Sequence, residues 1–210
     1  MSARAALLFT MALGLTIGAL GPAFAHHVGA YTARDNDVSA NFKQIKFSIQ
    51  AGKLDVALKL FDAGALRKAM QAQAARLPAD LEASTRAALK NGDAKTAELD
   101  LAIFFAALAR DLALEADRKL GEAGASPEAR KVTGTKFLEA IWRYYNLVDV
   151  AISERDNRTA VSVRLAFEEA EGYVKTSSPK MRATLERLAQ ILSDFIRTST
   201  STSTPTRRNS

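Results

Sequence analysis

The sequence predicts an all-α fold, an antiparallel multi-helix bundle of about six or seven helices built from helical hairpins. Three observations lead there. Apolar residues recur at three- and four-residue spacing in one segment after another, the mark of a helix with one buried stripe. No segment sustains the alternation of a half-buried strand, and β-branched and aromatic residues fall at helical spacing instead. Glycine, proline and Asn/Asp clusters stand between the periodic segments, where helices end.

Taken in order, Asp37 is placed to cap a first helix whose stripe is Val38, Phe42, Ile45 and Ile49, and Gly52 ends it where a left-handed residue is cheap. Leu54, Ala57, Leu58 and Phe61 begin the next helix. Gly64 breaks or kinks it, and Leu66, Ala69, Met70 and Leu77 carry the pattern on to Pro78. A helix over about 80–89 precedes the turn Asn91-Gly92-Asp93. The segment 94–120 contains Leu101 to Ala109, nine apolar residues without a break. A helix apolar on every side belongs at the centre of a bundle. Gly121, Gly124 and Pro127 mark a loop. The helix over 128–154 has its main stripe at Phe137, Ile141, Tyr144, Val148 and Ile152. Arg155-Asp156-Asn157 turns the chain into a helix over 159–175. Ser177-Ser178-Pro179 then opens the last helix, a capping residue followed by proline at the first position. It runs to about Arg197, with Met181, Leu185, Leu188, Ile191, Leu192 and Phe195 inward. A weak echo links three places, Gln50–Ala57, Lys90–Ala97 and Glu154–Ala160. Each is a short turn followed by a helix that offers alanine for close packing, but with no fixed period.

Residues 1–25 carry the three parts of an export leader. Arg4 supplies the positive start, Ala5 to Leu20 the apolar run, and Ala23-Phe24-Ala25 the small-x-small cleavage site. The expected divisions are a removed leader at 1–25, an extended arm at 26–36, the helical domain at 37–197 and a disordered Ser/Thr-rich tail at 198–210. The expected location is the bacterial periplasm, or outside the cell, with a mature form that does not span a membrane.

The chain has no cysteine and two histidines, His26 and His27. Disulfides, thiolate-ligated metals, cysteine nucleophiles and c-type haem attachment are excluded. So is a Ser-His-Asp triad within the helical domain, which has no histidine. The formal charge of +6 falls to +5 once Arg4 leaves with the leader, too weak a balance for a nucleic-acid partner. Gly52-Lys53 is followed by leucine, so no phosphate loop is present.

Four candidate sites remain. Cleavage after Ala25 frees the α-amine of His26 beside its own imidazole and that of His27, nitrogen donors that suit Cu(II). Asp149 flanks the apolar stripe of the 128–154 helix, and Glu168, Glu169 and Glu171 lie on the helix after it. Carboxylates projected between two such helices are oxygen ligands for iron, manganese or calcium. Against this, Arg164–Glu168 and Glu171–Lys175 have ordinary ion-pair spacing. Asp100 and Asp111 stand on the most apolar helix, where a charge is costly unless paired. Trp142-Arg143-Tyr144-Tyr145 is an aromatic cluster of the kind that more often builds core than binds ligand.

The run Tyr144-Tyr145, Asp149, the turn at Asp156 and Phe167-Glu168-Glu169-Ala170-Glu171 resembles the periplasmic helical extension of some bacterial high-affinity iron permeases, over about residues 137–175. The resemblance implies a periplasmic metal-handling helper, although the permease's membrane helices and acidic iron motifs are absent here. The function expected is thus an exported, non-enzymatic binding or accessory protein that handles a metal ion, iron or copper, beside a membrane transporter or another periplasmic protein. The alternative is a helical scaffold or interaction module of such a complex.

Overall fold

The computed structural model describes residues 35–203 and is all-α. Among the described residues there are eight α-helices. They are α1 (Asp37–Gln50), α2 (Leu54–Ala63), α3 (Ala65–Ala72), α4 (Leu81–Asn91), α5 (Ala94–Leu120), α6 (Pro127–Arg155), α7 (Asn157–Lys175) and α8 (Lys180–Ser203). A single 3-10 turn at Ala74–Arg76 follows α3.

The count exceeds the expected six or seven because Gly64 breaks the chain outright, ending α2 and opening α3 at φ −90°, ψ 170°. Glycine is required here because another helix end lies in the way of a side chain. A Cβ on Gly64 would overlap Asn41 Oδ1 and the Leu60 carbonyl oxygen. Asn41, on α1, occupies that space to serve both helix ends. Its Nδ2 donates to the Leu60 carbonyl at 3.1 Å, and its Oδ1 accepts from the Leu66 N–H at 3.0 Å. One side chain thereby satisfies a carbonyl at the end of one helix and an amide at the start of the next.

α3 stops at Ala72, short of the expected Pro78, and the 3-10 turn takes its place. Most other boundaries differ by a residue or two. Asn36, not Asp37, caps α1, in a reciprocal capping box with Ser39. The Schellman pattern closes α1 at Gly52 and α4 at Gly92, both at positive φ. Ser177 ends α7 in that same pattern at φ 51°, rather than opening α8. The largest correction is at the other end of α8. Residues 198–203, expected in a disordered tail, continue the helix, and Ser199 is 3% exposed. The hydroxyls of Thr198, Thr200 and Ser201 donate back to the carbonyls of Asp194, Ile196 and Arg197, so the serine and threonine side chains bond to their own helix.

The long helices form a ring. α5 packs against α6 and α8, and α7 closes the circuit by packing against both. The shorter α1–α4 form a layer laid on one side, with α4 against α5. Every residue from Leu101 to Ala109 is buried, which places α5 where its uninterrupted apolar run required. Phe104 and Phe105 are fully buried. The Phe105 ring meets Phe42 of the layer at 4.6 Å and Tyr144 of α6 at 5.9 Å, and so joins layer to ring. The three echoed turns begin α2, α5 and α7, and their alanines, Ala57, Ala97 and Ala160, are all fully buried.

Candidate functional site

The α6–α7 hairpin carries most of the residues singled out from sequence. Asp156 makes the turn by capping α7, accepting from the Thr159 N–H at 3.1 Å and the Thr159 hydroxyl at 2.6 Å. Those bonds hold its carboxyl below the usual range. The two helices then meet in opposite directions. Tyr145 donates to the Ala160 carbonyl, Trp142 packs on Phe167 at 4.9 Å, and a Cβ on Gly134 would press on Val174 at 2.6 Å. The aromatic cluster is largely core. Tyr145 is 1% exposed, and burial, followed by the nearby charge of Asp149, raises its phenol far above the ordinary value. Tyr144 accepts a hydrogen bond from Asn36 at 2.9 Å, tying α1 to α6.

Two of the carboxylates expected as metal ligands, Asp149 and Glu169, are held by arginines. Asp149 accepts from Arg164 Nε at 3.0 and 3.2 Å, and Arg164 Nη2 closes a bidentate pair. This bond is the first cause of the raised pKa of Arg164. Spacing along α7 offered Glu168 as the partner of Arg164, but the guanidinium reaches across to α6 instead. Glu169 accepts from Arg187 of α8 at 2.6 Å. Glu168 is exposed and Glu171 half-buried. Among the described residues, no three His, Asp or Glu side chains stand close enough to share a metal ion. His26 and His27 lie outside the described residues.

The two aspartates of α5 part ways. Asp111 pairs with Arg110 at 2.7 Å at the helix edge. Asp100 is 4% exposed, faces Ser84 of α4 as a hydrogen-bond partner, and leaves Oδ2 with no partner among the described residues. Burial pushes its carboxyl up to about 6.

One concave feature had no place in the sequence-based expectations. Where α5 ends and α8 begins, a cleft of about 680 Å³ opens between α5, α6, α7 and α8. Its floor is apolar: Leu120, Val174 and Met181, all buried, with the half-buried Tyr173 beside them. Its rim carries Arg130 and Lys131 from α6, Arg182 and Glu186 from α8, and the hydroxyls of Ser177 and Ser178. Arg182 is spoken for, donating from Nε to Asp117 Oδ1 at 2.7 Å. Arg130 and Lys131 are exposed and form no ion pair among the described residues. The sequence did contain the ingredients. The loop with Gly121, Gly124 and Pro127 and the turn with Ser177-Ser178-Pro179 are alternate connections of a four-helix ring, so they meet at one end.

A second, shallower groove of about 1080 Å³ runs along α5, lined by Arg76, Arg110, Asp111, Leu114, Glu115 and Arg118 among others. Its charges are largely matched internally, Arg110 with Asp111 and Arg118 with Glu115. No protein-family model, curated protein or solved structure matches this chain.

Proposed function

We propose that the protein is an exported, non-enzymatic binding or accessory protein, and that its binding function resides in the cleft at the α5–α8 end of the ring. The cleft carries this reading. Its volume of about 680 Å³ lies within the range of small-molecule sites, and it combines an apolar floor with a few polar and charged groups at the rim. The sequence brought forward a metal ion as the occupant, with a scaffold role as the alternative, and the geometry around the expected carboxylates does not favour the ion. An ion bound through Asp149 or Glu169 would have to displace the guanidinium of Arg164 or Arg187. The scaffold alternative keeps its support in the half-exposed Leu114 and the long groove beside it.

Two measurements test the proposal. N-terminal sequencing of protein recovered from the export fraction is expected to begin at His26, and an intact Met1 held in the membrane fraction contradicts a released mature form and removes the free α-amine of His26. Amide NMR spectra of the mature chain, recorded against a library of small organic ions and alcohols, are expected to shift around Gly121, Tyr173 and Ser177. A library that leaves that end unmoved removes the binding reading and puts the scaffold reading in front.

A further inference from the structure

The structure assigns a chemical class to the cleft's occupant. We infer that the cleft binds an amphiphilic organic anion, one carboxylate or phosphate head on an apolar chain or ring. The inference rests on the proposal that the cleft is a binding site, and goes on to say what it reads.

The floor decides the body of the ligand. Val174 and Met181 are 5% and 4% exposed, and Tyr173 presents an aromatic wall, so a polar body would lose its water against side chains that offer it little in return. The rim decides the head. Arg182 has its charge offset by Asp117, whereas Arg130 and Lys131 have no carboxylate partner among the described residues. Two adjacent residues of α6 thus leave two unneutralised cations at the mouth of an apolar cleft. Their neighbours reinforce the sign. α6 starts at Pro127 and α8 at Lys180, so both helices turn their N-terminal ends, with their partial positive charge, toward this end of the ring. Ser178, whose oxygen accepts from the Lys180 N–H, keeps a hydroxyl proton to donate to an oxyanion, whereas the Ser177 hydroxyl already donates to the Pro127 carbonyl. Glu186 is the one carboxylate among the described lining residues. It lies near Arg182, whose charge it also offsets, so it bars a second negative group on that side and favours a single head. The long groove along α5 is the weaker contrast, since there Arg110 and Arg118 are already paired within the chain and, among the described residues, Arg76 alone is not.

The test uses the mature full chain and four probes: decanoate, decyl phosphate, decanol and inorganic phosphate. Vesicles of phosphatidylglycerol form a fifth arm, which separates a free amphiphile from a lipid headgroup. Calorimetry is expected to give decanoate and decyl phosphate a Kd tighter than about 1 mM. Decanol and inorganic phosphate are expected to bind at least about tenfold more weakly, because each supplies only half of the contact. Affinity is expected to fall between about 50 mM and about 300 mM salt, as exposed charges are screened. Arg130→Ala/Lys131→Ala is expected to lose at least about tenfold for decanoate and to leave decanol unchanged. Lys68→Ala/Lys90→Ala, which removes the same charge at exposed positions away from the cleft, is expected to bind as the parent does. Binding to vesicles with no shift from decanoate assigns the site to a membrane surface and overturns the free-amphiphile form. Decanol and decanoate binding alike in the cleft overturns the inference while the binding proposal stands. No probe moving the cleft amides overturns both.

Discussion

The ring of α5–α8 and the layer of α1–α4 hold their helices by different means. The ring helices are 27, 29, 19 and 24 residues long, and burial holds them, with ten consecutive buried residues, Asp100 to Ala109, in α5 alone. The layer helices are 14, 10, 8 and 11 residues long, at or below the ~12–15 residues at which an isolated helix becomes marginal. They are tied at their ends. Asn41 bonds to both sides of Gly64, and Asp62 of α2 takes a bidentate pair from Arg86 of α4, at 2.8 and 2.9 Å, while also meeting Arg67 of α3. The bond from Arg86 is the first reason that the Asp62 carboxyl lies below its usual range. The short helices bury faces too, with Phe61, Leu66 and Met70 fully buried, but with so few turns they lean more on the ties at their termini. The difference also bears on function. The layer covers α5 around Asp100 and Phe105, whereas the far end of the ring is left open, and the cleft lies there.

The sharpest way to break the comparison is in the ring. Phe104→Ala removes a fully buried ring from α5 and is expected to cost about 3–5 kcal/mol in urea unfolding. A cost under about 1 kcal/mol would mean that α5 is not the structural centre.

The next effect lies where ring and layer touch, and it depends on pH. Burial raises the Asp100 carboxyl from 3.8 to about 6, so the folded protein holds that proton more tightly than the unfolded chain. The group's contribution is therefore most favourable below about pH 4, declines as pH rises towards 6, and stays lost above it. Asp100→Asn has no charge to bury. It is expected to match the parent near pH 4 and to exceed it by roughly 2–3 kcal/mol near pH 8. A difference that does not change with pH would show that the carboxylate is solvated.

Within the layer, Asn41→Ala removes both bonds across Gly64 and is expected to cost about 1–3 kcal/mol. Gly64→Asn tests the same contact from the other side and is expected to be at least as costly, because its Cβ has no space. An unchanged melt for either variant would remove the claim that end ties hold the layer. The smallest effect has the opposite sign. Ser177 sits at φ 51° in the position that Gly52 and Gly92 fill elsewhere, so Ser177→Gly is expected to stabilise by about 0.5–1 kcal/mol.

How much of this was legible depended on whether the cause was local. α5 could be read to the residue because an unbroken apolar run fits only a buried helix, and the turns at Gly52 and Asp156 because capping chemistry acts over a few residues. Arg164 could not be read. The favourable spacing to Glu168 was on its own helix, and Asp149, the partner it takes, is set by how α6 and α7 pack. The end of α8 was misjudged because composition says nothing of hydroxyls bonding to carbonyls four residues back. Gly64 was readable as a break, but not as a contact with Asn41, 23 positions earlier. The cleft was hidden for the same reason, since its rim is assembled from α6, α8 and the turn between α7 and α8.

The most direct measurement is amide hydrogen exchange on the mature full chain, with and without decanoate. Without ligand, the slowest amides are expected in α5 and its ring partners, with α2 and α3 opening at lower free energy. With ligand, added protection is expected around Gly121, Arg130, Tyr173 and Met181, with the order of ring and layer unchanged. Protection appearing in α1–α4 instead, or a layer that exchanges as slowly as α5, would contradict both the position of the site and the division of the molecule.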